Sequence, residues 1–377
     1  MKVLIRTDAS NLIGSGHVIR CLTLGHYLQE SGCDVAYACR ELPGHLCDLI
    51  ESHGFAVYRM EPPQEYQHSR QGSVDDYSAW LGVSAEQDAQ ETRAILARLG
   101  EQVDWIVLDH YSLDRSWEER LRSLCGYVAV IDDLANRPHD CDLVIDQNFY
   151  LDSLTRYNSL VSEGCRKLLG PQYAILRPEF IRARRRLTER DGKVSEILAF
   201  FGGFDSTGET VKFLQAVHQA SRDEYTVNLV VGNSNARRDE IEQMASGMSN
   251  VKCMTNVTSM SEFMLTADFA FGAGGTTTWE RCFLGLPTGT VEVADNQGKM
   301  LRDMASVGAV VHLGRAETVT AESYEQVLRE VRGDPDRVMS ISRTCLEIMG
   351  DNLLEQNCPM AYAMSQISNS AAIEKNK

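Results

Sequence analysis

Short apolar, β-rich runs alternate with amphipathic helical stretches along this chain, and the series starts twice. This alternation is the strongest constraint on the fold. Parallel strands cannot be joined by a tight turn, so each pair needs a right-handed crossover, usually through a helix. In the first series, strands are expected over Lys2 to Thr7, Asp34 to Cys39, Phe55 to Met60, Trp105 to Asp109, Tyr127 to Ile131 and Leu143 to Asp146. Helices are expected over His17 to Ser31, Leu42 to His53 and Glu86 to Leu99. The first helix carries Val18, Ile19, Leu22, Leu24 and Leu28 roughly on one face and is closed by Gly32.

The second series opens with a strand over Glu196 to Phe201. Helix Thr210 to Ser221, strand Thr226 to Val231, helix Arg238 to Ala245 and strand Val251 to Met254 follow. Next come helix Met260 to Thr266, strand Phe269 to Gly272, helix Thr277 to Leu284 and strand Thr288 to Val293. The last helical region spans Asp336 to Ile367, and a polar tail is expected to fray. The reading is an α/β chain of two Rossmann-like, doubly wound domains facing each other across a cleft. The expected boundaries are 1–180, a connection over 181–192, 193–366, and a tail over 367–377. The connection is rich in arginine (Arg182, Arg184, Arg185, Arg186 and Arg190), which reads as a solvated helix in preference to a nucleic-acid patch or a phosphate clamp.

Composition narrows the function. With 377 residues, 43% hydrophobic and 24% charged, the chain is an ordinary globular sequence of about two domains. No apolar run reaches the length of a membrane span, and the N-terminal strand is too short for a signal-peptide core. The net charge of −16 argues against a nucleic-acid backbone binder. The 11 cysteines are scattered without a Cys-x-x-Cys pair, which reads as reduced thiols and a cytoplasmic setting.

Chemistry-bearing residues fall at strand ends, where open α/β sheets bind ligands. Gly14-Ser15-Gly16-His17 lies between the first strand and helix. Its glycines allow close backbone approach, and the helix start offers N–H donors. A dinucleotide site needs a third glycine and an acid after the second strand; here Val18-Ile19-Arg20 and Arg40 stand instead. His17 is either a general acid/base or a capping residue. Phe201-Gly202-Gly203-Phe204-Asp205 ends the first strand of the second series, as a plain turn or a diphosphate cradle. Gly274, Gly275 and Thr276 belong to a stretch of glycines and threonines suited to a phosphate, and Glu280 follows one helical turn later, either placed for ribose hydroxyls or a plain exposed helix residue. Asn296 and Gln297, after another strand, suit sugar hydroxyls or acetamides. Asp8, Asp109-His110-Tyr111, Asp132-Asp133 and Asp146-Gln147-Asn148 also end strands. The Asp132-Asp133 pair reads as structural or substrate-orienting in preference to a metal site. There is no Walker loop and no Gly-x-Ser-x-Gly elbow.

In their order, these segments resemble a known family. They run from Arg6-Thr7-Asp8 and Gly14-Ser15-Gly16-His17 through Asp109-His110-Tyr111 and Ile131-Asp132-Asp133. Asp146-Gln147-Asn148, Leu169-Gly170-Pro171, Leu176-Arg177-Pro178, Phe201-Gly202-Gly203, Gly272 to Gly285 and Ala294-Asp295-Asn296-Gln297 continue the series. The chain looks like the PseG family, the nucleotide-sugar hydrolases of pseudaminic acid biosynthesis, which are similar in fold to MurG, a GT-B glycosyltransferase. Phe204-Asp205-Ser206 departs from the family, which more often has a small residue, Asp, then Pro.

The resemblance implies release of UDP from UDP-2,4-diacetamido-2,4,6-trideoxy-β-L-altropyranose, with His17 as the base that activates water. It implies Asp8 and Tyr111 near the reacting centre. Substrate contacts are implied for Gly14, Ser15, Gly16, Arg20, Gly202, Gly203, Asp205, Gly274, Gly275, Thr276, Glu280, Asn296 and Gln297. No cofactor and no metal are implied, and the only partner is the UDP-sugar, without nucleic acid or membrane; a monomer is compatible. The rival readings are a MurG-like glycosyltransferase and a non-catalytic nucleotide-sugar sensor.

Overall fold

A computed structural model describes residues 1–63, 77–100, 102–219, 225–255, 257 and 259–375. The chain divides into two compact units. The first comprises Met1–Asn148, Asp152–Ile175 and Glu355–Lys377; the second comprises Phe149–Leu151 and Leu176–Leu354.

The first unit contains strands β1 (Lys2–Thr7), β2 (Asp34–Arg40), β3 (Ala56–Met60), β4 (Val103–Asp109), β5 (Cys125–Ile131), β6 (Leu143–Asp146) and β7 (Arg166–Leu169). They form one parallel sheet in the order β3-β2-β1-β4-β5-β6-β7. The chain runs outward to β3, returns to the middle and runs outward the other way, so the order reverses between β1 and β4. Alternate residues of each strand enter different cores, as the two-residue period requires. Val3, Ile5, Val107, Ala129 and Ile131 pack on one face with helix Gly16–Glu30. Leu4, Ile106, Leu108, Val128 and Val130 pack on the other. Both faces are covered, which is why these strands read as nearly continuous apolar runs.

The second unit repeats the plan with β8 (Glu196–Phe200), β9 (Thr226–Val230), β10 (Val251–Met254), β11 (Phe269–Ala273), β12 (Thr288–Glu292) and β13 (Val311–Arg315). The order is β10-β9-β8-β11-β12-β13, again all parallel, with the reversal between β8 and β11. Two doubly wound parallel sheets are thus present, as the alternation requires.

Several elements differ from expectation. Strands β7 and β13 were not anticipated. The second helix is only Cys47–Ser52, because Pro43 and a left-handed Gly44 (φ 87°) precede it. The long C-terminal helix is three: Pro335–Met349, Asn352–Gln356 and Pro359–Lys375. Gly350 (φ 55°), Asn357 (φ 56°) and Pro359 make the breaks. Helix Glu209–Gln219 replaces the expected Thr210 to Ser221, and Ser221 lies outside the described residues.

The segment after Gln356 was expected to end the second domain and then fray. It belongs instead to the first unit, where Met360, Ala361, Ala363 and Met364 join the core of β1 and β4. There Trp105 Nε1 donates to Ser368 Oγ at 2.9 Å. The arginine-rich connection likewise lies inside the second unit, and parts of it are docked. Arg190 donates to the carbonyls of Met264, Ala267, Leu284 and Gly285, and Arg184 to that of Phe283. Arg186 pairs with Glu262 at the surface. All 11 cysteines are free thiols, and all but Cys253 are buried. Among the described residues no helix is long and apolar enough to cross a membrane.

Candidate functional site

In the first unit the reversal point brings the end of β4 beside the start of helix Gly16–Glu30. Gly14 adopts φ 82° and its N–H donates to Ser10 O, which turns the chain into the helix. Ser15 makes no side-chain cap. First-turn N–H groups are therefore left for other acceptors. His17, in that first turn, is 7% exposed, and its Nδ1 lies 2.6 Å from Asp109 Oδ1. A carboxylate oxygen that close to a ring nitrogen requires a proton between them. The contact assigns the hydrogen to Nδ1, the tautomer in which Nε2 keeps its lone pair, with Arg20 Nη2 also 3.1 Å from Nδ1.

Asp109 is fixed from a second side. Arg20, one turn further along the helix, donates Nε to Oδ2 and Nη2 to Oδ1, each at 2.6 Å. Burial would push the Asp109 carboxyl up, but the Arg20 guanidinium, and after it the His17 ring, hold it well below the usual carboxylate range. Tyr111, two residues past β4, places its ring edge-on to His17 at 4.6 Å between centroids. Its hydroxyl donates to Asp133 Oδ1.

Two expectations change here. Asp8 is fully buried, with both oxygens engaged by Arg6 at 2.6 and 2.8 Å and by the Arg40 backbone N–H at 2.7 Å. It sits in a buried charge chain with Arg6, Asp88 and Arg40, so it shapes the end of β1 and does not reach a reacting centre. Arg20 is committed to Asp109, with Nη1 3.3 Å from Asp133, and is only 5% exposed; it positions the histidine's partner instead of holding substrate. Asp109 itself was noticed only as a strand-end residue. No spacing signal ties it to His17, because their contact spans 92 positions. Asp132 is a structural acid, bound by Arg137, the Ala135 N–H and Tyr157.

In the second unit, the paired ends of β8 and β11 lead side by side into two glycine loops. Gly202 has φ 101°, and a Cβ at Gly202, Gly203 or Gly275 would meet nothing within 4 Å. At Gly274 a Cβ would come within 2.7 Å of Leu301 and 3.2 Å of Gln297 Oε1, so the loop lies against the segment after β12. Gln297 spends that oxygen on the Val293 N–H at 2.9 Å. Asn296 is half-buried beside it, and Thr276 is exposed before helix Thr277–Phe283.

Beneath the second loop lies Arg281, which sequence reasoning passed over. It is 2% exposed and donates to the Ala273 carbonyl at 2.9 Å and to the Thr277 and Thr278 hydroxyls at 3.1 Å. These hydrogen-bond partners are uncharged, and the neighbouring Glu280 carboxylate partly offsets the burial of the charge. Burial pulls the guanidinium down to about 10, which leaves it charged at neutral pH. Glu280 receives Arg177 Nε and Nη2 on Oε1 at 3.2 and 3.0 Å, while its buried Oε2 has no partner among the described residues. Burial pushes the Glu280 carboxyl up against the pull of Arg177.

Asp205 departs from expectation. At φ 45° it turns back and accepts the Glu209 and Thr210 N–H groups at 2.9 and 3.0 Å. A carboxylate already occupies that helix start and would repel a diphosphate there. It is a cap, not a phosphate ligand.

No family model matches the chain. It is 24% identical over 296 residues to an uncharacterised protein of Methanocaldococcus jannaschii, covering 76% of this chain and 54% of that one. It thus spans about half the length of that relative. It is 23% identical over 264 residues to the UDP-2,4-diacetamido-2,4,6-trideoxy-β-L-altropyranose hydrolase of Campylobacter jejuni, covering 70% of this chain and 81% of that one. The resemblance read from the motifs is borne out by this relative. Among solved structures, Acinetobacter baumannii MurG superposes with a TM-score of 0.62 at 15% identity, over 98% of this chain and 99% of the other. The fold is therefore GT-B-like.

Proposed function

We infer that the chain is a UDP-sugar-processing enzyme, and within that class a hydrolase releasing UDP from UDP-2,4-diacetamido-2,4,6-trideoxy-β-L-altropyranose. The observation that carries the reading is the 2.6 Å contact between His17 Nδ1 and Asp109, which leaves Nε2 as a base at a sheet reversal point. Nε2 takes a proton from water as the oxygen attacks the anomeric carbon. The bond from that carbon to the diphosphate oxygen breaks, and UDP leaves with the electron pair. Asp109 stabilises the imidazolium that forms and does not itself take the proton. UDP is a good leaving group, so no strong general acid is needed.

In the second unit, the glycine loops and the charge of Arg281 suit a diphosphate, which the chain's acidic balance does not otherwise favour. The free Glu280 Oε2 suits ribose hydroxyls. Similarity to the Campylobacter hydrolase supports the choice of sugar.

Incubation with this UDP-sugar and no acceptor tests the reading. UDP is expected to accumulate, and His17→Asn is expected to lower turnover by about 10²–10⁴-fold while UDP binding holds. UDP release that requires an added acceptor would make the protein a glycosyltransferase instead. Glu280→Ala is expected to weaken UDP binding about tenfold or more by calorimetry; an unchanged dissociation constant would remove the ribose assignment.

A further inference from the structure

The arginines at and after the end of helix Pro178–Arg184 have no part in the proposed reaction. A cavity of about 360 Å³ lies between this segment and helix Pro335–Met349, wholly within the second unit. Arg184, Arg190 and Arg343 line it, together with one carboxylate, Glu189, and an apolar wall that includes Leu187 and Leu346. Arg184 is half-buried and uses only Nη1, which donates to the Phe283 carbonyl at 2.8 Å. Its Nε and Nη2 have no partner among the described residues and keep accessible surface. Arg190 spends its donors on backbone carbonyls alone. Asp351 and Asp268 act on Arg184 and Arg190 only from beyond ion-pair distance. Arg343 is exposed and meets Glu189 at 3.6 Å, too far for a hydrogen bond.

We propose that this cavity binds a small phosphate monoester, its phosphate on the free donors of Arg184 and Arg343 and its organic part against Leu187 and Leu346. Guanidinium forks match phosphate oxygens two at a time. Three lining arginines against one glutamate leave an excess of positive charge. A phosphate monoester, at about −1.5 to −2, balances that excess better than a single carboxylate does. The chain as a whole carries −16, so a cationic hollow runs against its general charge. The cavity is separate from the glycine loops. Arg184 and Arg190 hold the carbonyls of Phe283, Leu284 and Gly285, at the end of helix Thr277–Phe283 opposite to Gly274-Gly275-Thr276. Ser342 Oγ donates to the same Gly285 carbonyl at 2.7 Å. The inference does not depend on the UDP-sugar reading.

Calorimetry on the full chain in phosphate-free buffer, with phenyl phosphate as the probe, tests the site. One saturable binding event is expected, unaffected by one equivalent of UDP. Benzoate is expected to bind about tenfold more weakly. Arg343→Gln is expected to weaken phenyl phosphate about tenfold. Glu189→Gln, which removes the lining carboxylate, is expected to tighten it about 2–5-fold. Arg184→Gln would also remove the support of the Phe283 carbonyl, so the two exposed positions decide. No saturable binding, or binding lost on adding one equivalent of UDP, overturns the proposal. So does benzoate binding as tightly as phenyl phosphate, or equal affinity in wild type, Arg343→Gln and Glu189→Gln. A protein that takes up phenyl phosphate here but releases no UDP from the UDP-sugar would overturn the hydrolase reading alone.

Discussion

In the proposed mechanism His17 depends on one residue that it touches directly, Asp109. Asp109 → Asn would offer the His17 ring an amide in place of a carboxylate, remove the partner of Arg20 and release the tautomer. Turnover is expected to fall by about 10²–10⁴-fold with UDP affinity unchanged, measured by steady-state kinetics and calorimetry. A loss confined to KM would show that Asp109 acts on binding instead. His110, the next residue, carries a different consequence. It is 2% exposed, and burial pulls its ring down to about 4, although Asp8 lies 3.4 Å from Nε2. The unfolded histidine, at about 6.5, binds a proton earlier than the folded one, so stability is whole above that value and falls as pH drops toward 4. The loss amounts to about 3 kcal/mol across that window. Thermal midpoints between pH 7 and 4 should fall less steeply in His110→Gln than in wild type.

At the scale of elements, Asp205 holds helix Glu209–Gln219 by two backbone N–H groups. Asp205→Ala is expected to cost about 1–2 kcal/mol, read from chemical denaturation, and to leave UDP binding intact or tighter. Weaker UDP binding would restore it as a ligand. This element also shows what was legible. The glycines of Gly202-Gly203 and Gly274-Gly275 announced strand-to-helix turns, and the short apolar runs between helical stretches announced the sheets. A cap that turns back at φ 45° leaves no mark distinguishing it from a ligand aspartate. Strand β13 escaped notice because it is half-buried, mixes His312 and Arg315 with its apolar residues, and bends at Gly314 (φ 117°). His17 could be singled out because its helix start lies beside it in sequence. Asp109 as its partner and Arg281 under the loop could not, because folding alone creates those contacts.

At the scale of the whole molecule, the first unit is sewn from distant parts of the chain. Helix Pro359–Lys375 packs on helix Gly16–Glu30 and β6, and sets Met360 and Met364 in the core with Val3 and Trp105. Each of Met360→Ala and Met364→Ala is expected to cost about 2–5 kcal/mol, read from denaturation of the first unit, and unchanged stability would show that this helix is dispensable. The arrangement also sets a timetable. During synthesis the residues of β1 to β7 emerge early, but the helix that completes their core emerges only after the second unit, whose last residues end at Leu354. At about 5–20 residues per second, that is a delay of roughly 10–40 s. Throughout it, the apolar strip destined for Met360 and Met364 stays open to water and to other chains. A nascent chain stalled inside the second unit would carry an N-terminal sheet that is fully threaded yet unsealed, which makes it a natural client for a chaperone.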